Sequence, residues 1–259
     1  MNGDILLTRD GAIATVALNN PGKLNALNKA VWQRLGEVMR ELSADGDLRC
    51  IVLRGAGDKA FAAGADISEF ATERANARQA KHYGDLIHGT MQAIAQCRHP
   101  TVALIMGACV GGGLEIAAMC DMRICGESSR FGVPINRLGL TMAYGELQGL
   151  LALAGRAVTL EILLEGRVFD AQEAFRKGLV NRVAADDNVE EEAYACARRI
   201  AAGAPLVARW HKQFVERLTV TAKLNPDEWD EGFACFDTGD YKTGVAAFLK
   251  KEKPKFEGR

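Results

Sequence analysis

Two segments of small residues are where this chain can do chemistry. Phe61-Ala-Ala-Gly-Ala-Asp66 and Gly107-Ala-Cys-Val-Gly-Gly-Gly-Leu-Glu115 each follow a short apolar strand and lead into a helix. Small side chains let a ligand approach the backbone closely. The unpaired N–H groups of a helix's first turn also point outward at its positive dipole end. Two such turns facing each other would aim two donors at one oxygen atom, which is an oxyanion hole. Glu115 falls within the first turn of the second helix, where an acid either complements the dipole as a cap partner or serves as a catalytic group.

Other chemistries fit less well. Gly55-x-Gly57-x-x-Ala60 formally matches a relaxed dinucleotide fingerprint, but another small-residue turn follows it and no amphipathic helix opens at Ala60. A phosphate-binding P-loop is excluded because Gly-Lys-Ser/Thr never occurs. The seven cysteines are scattered, and Cys120 and Cys125 lack a second Cys or His pair to complete a zinc site. They read as buried free thiols of a reducing compartment. The four histidines form no ligand pattern, and His82 reads as a solvated or packed helix residue. No metal site is expected.

The elements that must position these turns can be read from periodicity. Ile5–Thr8 and Ile13–Leu18 flank Gly11 as a hairpin. Apolar positions from Leu27 to Leu42 fall at helical spacing. Cys50–Leu53, Thr101–Met106 and Met122–Cys125 read as buried strands, and Ile67–Cys97 as one polar helical stretch. Strand, glycine turn, helix, strand is a βαβ-like rhythm, so the first half should be α/β with parallel pairing. Beyond Gly145 the pattern is helical, at Glu146–Leu153, Ala157–Leu164, Ala171–Lys177, Val189–Ala202, Pro205–Leu218 and Tyr241–Lys251. Only Leu179–Val183 interrupts it as a strand. The reading is a core domain over residues 1–195 and a helical region over 196–259 that packs on the core or a neighbouring subunit.

At 259 residues, 48% apolar and 25% charged, the composition is that of a globular domain. A net charge of −1 gives no electrostatic reason to expect nucleic acid or an anionic membrane as partner. No apolar run approaches the ~20 residues that a spanning helix needs. Met1-Asn2-Gly3-Asp4 lacks the basic and apolar parts of a secretory signal, so a cytoplasmic location is expected.

In order along the chain, Asn19-Asn-Pro-Gly-Lys-Leu-Asn-Ala-Leu27, Phe61-Ala-Ala-Gly-Ala-Asp-Ile-Ser-Glu69, Gly111-Gly-Gly-Leu-Glu115, Phe131-Gly-Val-Pro134, Gly178-Leu-Val-Asn-Arg-Val183 and Ala246–Phe256 resemble the crotonase family, the enoyl-CoA hydratase/isomerase superfamily. The likeness runs almost the whole length. It implies a core of ββα units in a spiral with a helical C-terminal region, assembled as a trimer or as a hexamer of two stacked trimers. It also implies an acyl-coenzyme-A substrate with no cofactor beyond that coenzyme A. Ala65 and Gly112 would supply the oxyanion N–H groups, and Glu115 would be one of two water-activating glutamates. Lys23, Leu24 and Ala26 resemble the segment that holds the nucleotide end of coenzyme A, with Ala63, Asp66 and Ile67 along the adenine and pantetheine path. Lys255 and Phe256, from a C-terminal helix, would close the site of a neighbour.

The resemblance breaks at one position. The second catalytic glutamate of the hydratases should follow Pro134, and here Ile135 stands there, an apolar wall rather than an acid. Asn136, Arg137, Tyr144 and Glu146 are the nearby polar side chains, and Tyr144 or Glu146 could reach inward in its place. Hydration or dehydration is the first reading. Isomerisation, decarboxylation or thioester hydrolysis at the same hole is the second, and a non-catalytic acyl-CoA binder is the third.

Overall fold

The computed structural model describes residues 3–220 and 223–259; Met1 and Asn2, read above for a leader, lie outside them. β1 (Asp4–Asp10) and β2 (Ile13–Asn19) form the expected antiparallel hairpin. α1 (Lys29–Ala44) starts at Asn28, whose side chain accepts from the Val31 N–H, and buries Val31, Trp32, Leu35, Val38, Met39 and Leu42 along one face. β3 (Cys50–Gly55) and β4 (Ala60–Ala62) precede α2 (Phe70–Glu73) and α3 (Ala77–Ala95). β5 (Thr101–Ile105), β6 (Ala108–Val110) and α4 (Gly112–Met119) repeat that order, as do β7 (Met122–Gly126), β8 (Arg130–Gly132) and α5 (Tyr144–Glu165). β9 (Phe169–Asp170), α6 (Ala171–Arg176), β10 (Arg182–Ala184) and α7 (Val189–Ala201) complete the core, followed by α8 (Pro205–Val220), α9 (Pro226–Glu231) and α10 (Gly239–Lys250).

Long strands make one sheet and short strands another. The six-stranded sheet runs β1-β2-β3-β5-β7-β10, parallel beyond the hairpin, and the four-stranded sheet runs β4-β6-β8-β9. Each repeat thus contributes a strand to each sheet and then a helix, a ββα unit. The central strands β3 and β5 are almost wholly buried, with Ile51, Val52, Leu53, Val102 and Ala103 all at 0% exposure, as parallel strands covered on both faces require.

Three sequence readings change. β4 and β6 fall on the stretches that read as small-residue turns and β8 has no counterpart in the sequence reading, because three residues are too few for a period-2 pattern. Ile67–Cys97 is a short 3-10 turn, α2 and α3, broken between Arg74 and Asn76, whose side chain caps α3 through the Gln79 N–H. The boundary at 195/196 falls within α7, whose Ala193, Cys196 and Ala197 pack on Val52, Val102 and Ile124. That helix belongs to the core.

α5 reads as two helices from the sequence and is bent at Gly155 (φ 69°, ψ 173°). Among the described residues it alone has the length and composition to cross a membrane, a run that the sequence reading passed over because Glu146 and Arg156 divide it. Lys255 and Phe256 follow α10 in a non-helical tail rather than in a helix.

Candidate active site

The two small-residue turns meet. Gly64 (φ 103°) and Gly111 (φ 52°) hold backbone conformations that a side chain would strain. A Cβ on Gly64 would lie 3.3 Å from the Val110 carbonyl oxygen and 3.9 Å from the Gly112 nitrogen, and one on Gly111 would lie 3.6 Å from the Gly64 Cα. Two backbones come this close only without side chains between them.

The hydrogen bonds around the turns explain which groups remain open. Ala65 forms a parallel bridge with Leu27, in which the Leu27 N–H donates to the Gly64 carbonyl at 2.8 Å and the Asp66 N–H to the Leu27 carbonyl at 2.9 Å. In a trans peptide the N–H points opposite to the carbonyl, so the Ala65 N–H is turned away from Leu27. Gly112 is the first residue of α4, whose leading N–H groups have no intrahelical acceptor. Ala65 and Gly112 line one cavity of about 150 Å³.

Two carboxyl groups share that cavity, from Glu115 and Glu146. Glu115 is 7% exposed, on the first turn of α4. Burial and then the nearby Glu146 carboxylate push its pKa up to about 8, with Arg74 opposing. No protein donor satisfies its carboxyl among the described residues. Glu146 stands in the first turn of α5 and reaches back so that its Oε2 accepts from the Ala143 N–H at 3.0 Å. Burial raises its pKa too, while that N–H and Arg74 pull it down. Like charges in one dry site cannot both ionise freely, so the two titrate as a pair.

The sequence-derived site residues divide into three groups. Ala63, Ala65, Ile67, Gly112, Glu115 and Ile135 line the cavity, Ile135 half-buried beside Pro134. Lys23, Leu24, Ala26 and Asp66 lie beside it without lining it. Asp66 caps the turn at Ile67 by accepting from the Ser68 N–H at 3.1 Å, and it pairs with Lys23 Nζ at 2.6 Å. Lys23 and Ser68 hold the Asp66 carboxyl below its ordinary range. Leu24 takes a left-handed conformation (φ 50°), and its carbonyl accepts from the Ala63 N–H, tying the two segments.

The third group is away from the cavity. Tyr144 is 88% exposed and contributes nothing to the cavity wall; two residues apart on a helix, Tyr144 and Glu146 point to different sides, and Glu146 is the one turned inward. Lys255 is exposed, and Phe256 packs beneath Gly244 with its carbonyl accepting from Arg49. His82 is exposed on α3. Sequence reading missed Trp32, Phe70, Arg74, Ile87, Leu138, Leu140 and Thr141, which complete the lining. The apolar ones resemble ordinary core positions, and Arg74 sits in what reads as a continuous polar helix.

A sequence model of the family described as Enoyl-CoA hydratase/isomerase matches residues 8–259. The chain belongs to the enoyl-CoA hydratase/isomerase family, and it is an acyl-CoA enzyme of hydratase type with the crotonase fold. It is similar to the short-chain-enoyl-CoA hydratase of Clostridium acetobutylicum, 32% identical over 255 residues and covering 96% of each chain. It is similar, too, to the crotonyl-CoA hydratase of Syntrophomonas wolfei, 32% identical and covering 98% of this chain and 97% of that one. Among solved structures, an enoyl-CoA hydratase/carnithine racemase from Magnetospirillum magneticum superposes with a TM-score of 0.97 at 51% identity, covering 98% of this chain and 96% of that one.

Proposed function

We propose that this enzyme hydrates a short 2,3-unsaturated acyl-CoA, with Glu115 and Glu146 as its acid–base pair. The observation that carries the reading is that these two carboxyls line one cavity with Ala65 and Gly112. Glu146 supplies from α5 the carboxyl that Ile135 lacks.

The thioester carbonyl accepts from the two N–H groups, which draw charge from the double bond as the enolate forms. Such a donor is worth about 2.7–4 kcal/mol of barrier. Burial and the neighbouring carboxylate favour the proton on Glu115, which serves as the acid, while the Ala143 N–H and Arg74 favour the ionised form of Glu146, which serves as the base. Water gives a proton to the ionised carboxylate as its oxygen bonds the β-carbon. The α-carbon then takes the proton of the acid, and the pair ends with one proton, as it began. Dehydration is the reverse. The residues do this without a metal or prosthetic group, coenzyme A being part of the substrate.

Lys23, Leu24 and Ala26, with Ala63, Asp66 and Ile67, would seat the coenzyme A. Lys23 keeps an open donor for it, since its ammonium has three N–H bonds and, among the described residues, Asp66 and Ser68 alone accept from it. The small cavity suits a short acyl group. Trp229 of α9, Phe233 of the turn after it, and Phe248 and Leu249 of α10 are all well exposed, an apolar surface suited to a trimer or hexamer. In such an assembly Lys255 and Phe256 would meet a neighbour, in the cytoplasm.

Loss of crotonyl-CoA absorbance tests the reading. Wild type should hydrate it, and Glu115→Gln and Glu146→Gln should each bind the thioester with little turnover. Unimpaired hydration in Glu146→Gln would return the chemistry to Glu115 alone.

A further inference from the structure

Among the described residues that line the cavity, Arg74 is the one basic side chain. It stands at the end of α2 with its guanidinium carbon 4.0 Å from the centroid of the Tyr83 ring and 4.8 Å from that of Phe70. Its Nε is buried without a hydrogen-bond partner. The nearest acids in sequence are committed elsewhere. Glu69 accepts from the Lys29 N–H and the Tyr83 hydroxyl, and Glu73 pairs with Lys29 Nζ at 2.7 Å. Glu115 and Glu146 feel the charge of Arg74, yet no carboxylate comes within 4.0 Å of it among the described residues. Other arginines of this chain close on their acids: Arg54 on Glu190 at 2.7 Å, Arg217 on Glu231 at 2.7 Å.

Aromatic faces orient a guanidinium without neutralising it, and they leave its in-plane N–H donors free for a planar bidentate acceptor. We propose that Arg74 is a specificity-determining residue that receives a carboxylate carried on the acyl group, so that the preferred substrate is a short enoyl-CoA with an acidic acyl terminus. This rests on the cavity being the acyl site. A site built to hydrogen-bond a substrate group discriminates strongly against the analogue without it, because its own donors are then left unpaired.

The test compares crotonyl-CoA with glutaconyl-CoA, the same chain bearing a carboxylate on its terminal carbon. Wild type should favour the carboxylated thioester in kcat/KM by at least tenfold. Arg74→Met should reduce that preference by at least tenfold, with Arg74→Lys between the two because it keeps the charge and loses the fork. Equal preference in wild type, or an equal fall on both substrates in Arg74→Met, would assign Arg74 to the electrostatics of the carboxyl pair and overturn the proposal. Weaker inhibition of Arg74→Met by free coenzyme A would assign it to the coenzyme's phosphates, also against the proposal. Calorimetric binding of the saturated analogues butyryl-CoA and glutaryl-CoA separates the two failures. Tighter glutaryl-CoA binding in wild type, lost in Arg74→Met, supports the proposal even where neither unsaturated thioester is hydrated.

Discussion

The cavity has two walls made differently. One is backbone: the turns around Gly64 and Gly111, pressed together and held by the Leu27–Ala65 bridge. The other is side chain: Ile135, Leu138, Leu140 and Thr141 from the segment before α5, with Glu146 from its first turn. The backbone wall has little freedom to vary, since a Cβ at Gly64 or Gly113 meets main-chain oxygens at 3.3 and 2.4 Å. The side-chain wall has no such constraint: it carries Ile135 where the hydratase pattern has an acid, and a carboxyl, Glu146, from another position beside Glu115. Polarisation of the carbonyl and transfer of protons are therefore separable properties of this fold, and mutations should separate them.

The largest effect is expected on the side-chain wall. Glu115→Gln should lower kcat by about 10²–10⁴-fold, the usual worth of a positioned acid or base. Glu146→Gln should do nearly the same, and the double variant should be little worse than either, since the two act as a unit. Additive losses in kcat would show that they act independently. On the backbone wall, Gly64→Ala should cost about 10²-fold in kcat, near the worth of one oxyanion donor. The left-handed φ and the Val110 carbonyl would push that turn out of line. Its pH profile should keep the wild-type shape, because no titrating group has been touched.

A smaller effect tests whether position or mere presence matters. In the Glu146→Gln background, Ile135→Glu returns a carboxyl to the place where the hydratase pattern has one. Hydration of crotonyl-CoA should recover by about tenfold, part of the worth of a positioned carboxyl. No recovery would mean that this wall has repacked around Glu146.

The walls also differ in how much of them can be read from the residues. Phe61–Asp66 and Gly107–Glu115 announce a close backbone approach, because small residues between a strand and a helix have few other uses. The short strands β4 and β6 on those stretches, and β8 beyond them, carry no period and stay hidden. Ile135 is legible as a missing acid, but the carboxyl that the structure brings into the cavity from α5 is not. Tyr144 and Glu146 are equally polar on paper, and only the start of α5 at Tyr144 decides which of them faces inward. Arg74 is hidden by the unbroken polar pattern of residues 67–97, since nothing in composition marks the break after α2 that places it at a helix end.

The least dramatic prediction concerns stability, and there the walls should part most cleanly. Glu115 has a pKa of about 8 in the folded chain against an ordinary value of 4.5. Between those two values the folded state holds a proton that the unfolded chain has already released, so stability falls as pH rises through that window and levels off above it. Glu115→Gln has no such proton to hold. Its melting temperature relative to wild type should therefore climb from pH 5 to pH 9, with a shift of ~2–4 °C for each kcal/mol recovered. An enzyme that gains stability as it loses its acid is storing the burial of a carboxyl for catalysis. Gly64→Ala should behave in the opposite way, melting lower than wild type by the same margin at every pH, because backbone strain does not titrate. Parallel melting curves for Glu115→Gln and wild type from pH 5 to 9 would mean that water reaches Glu115 freely.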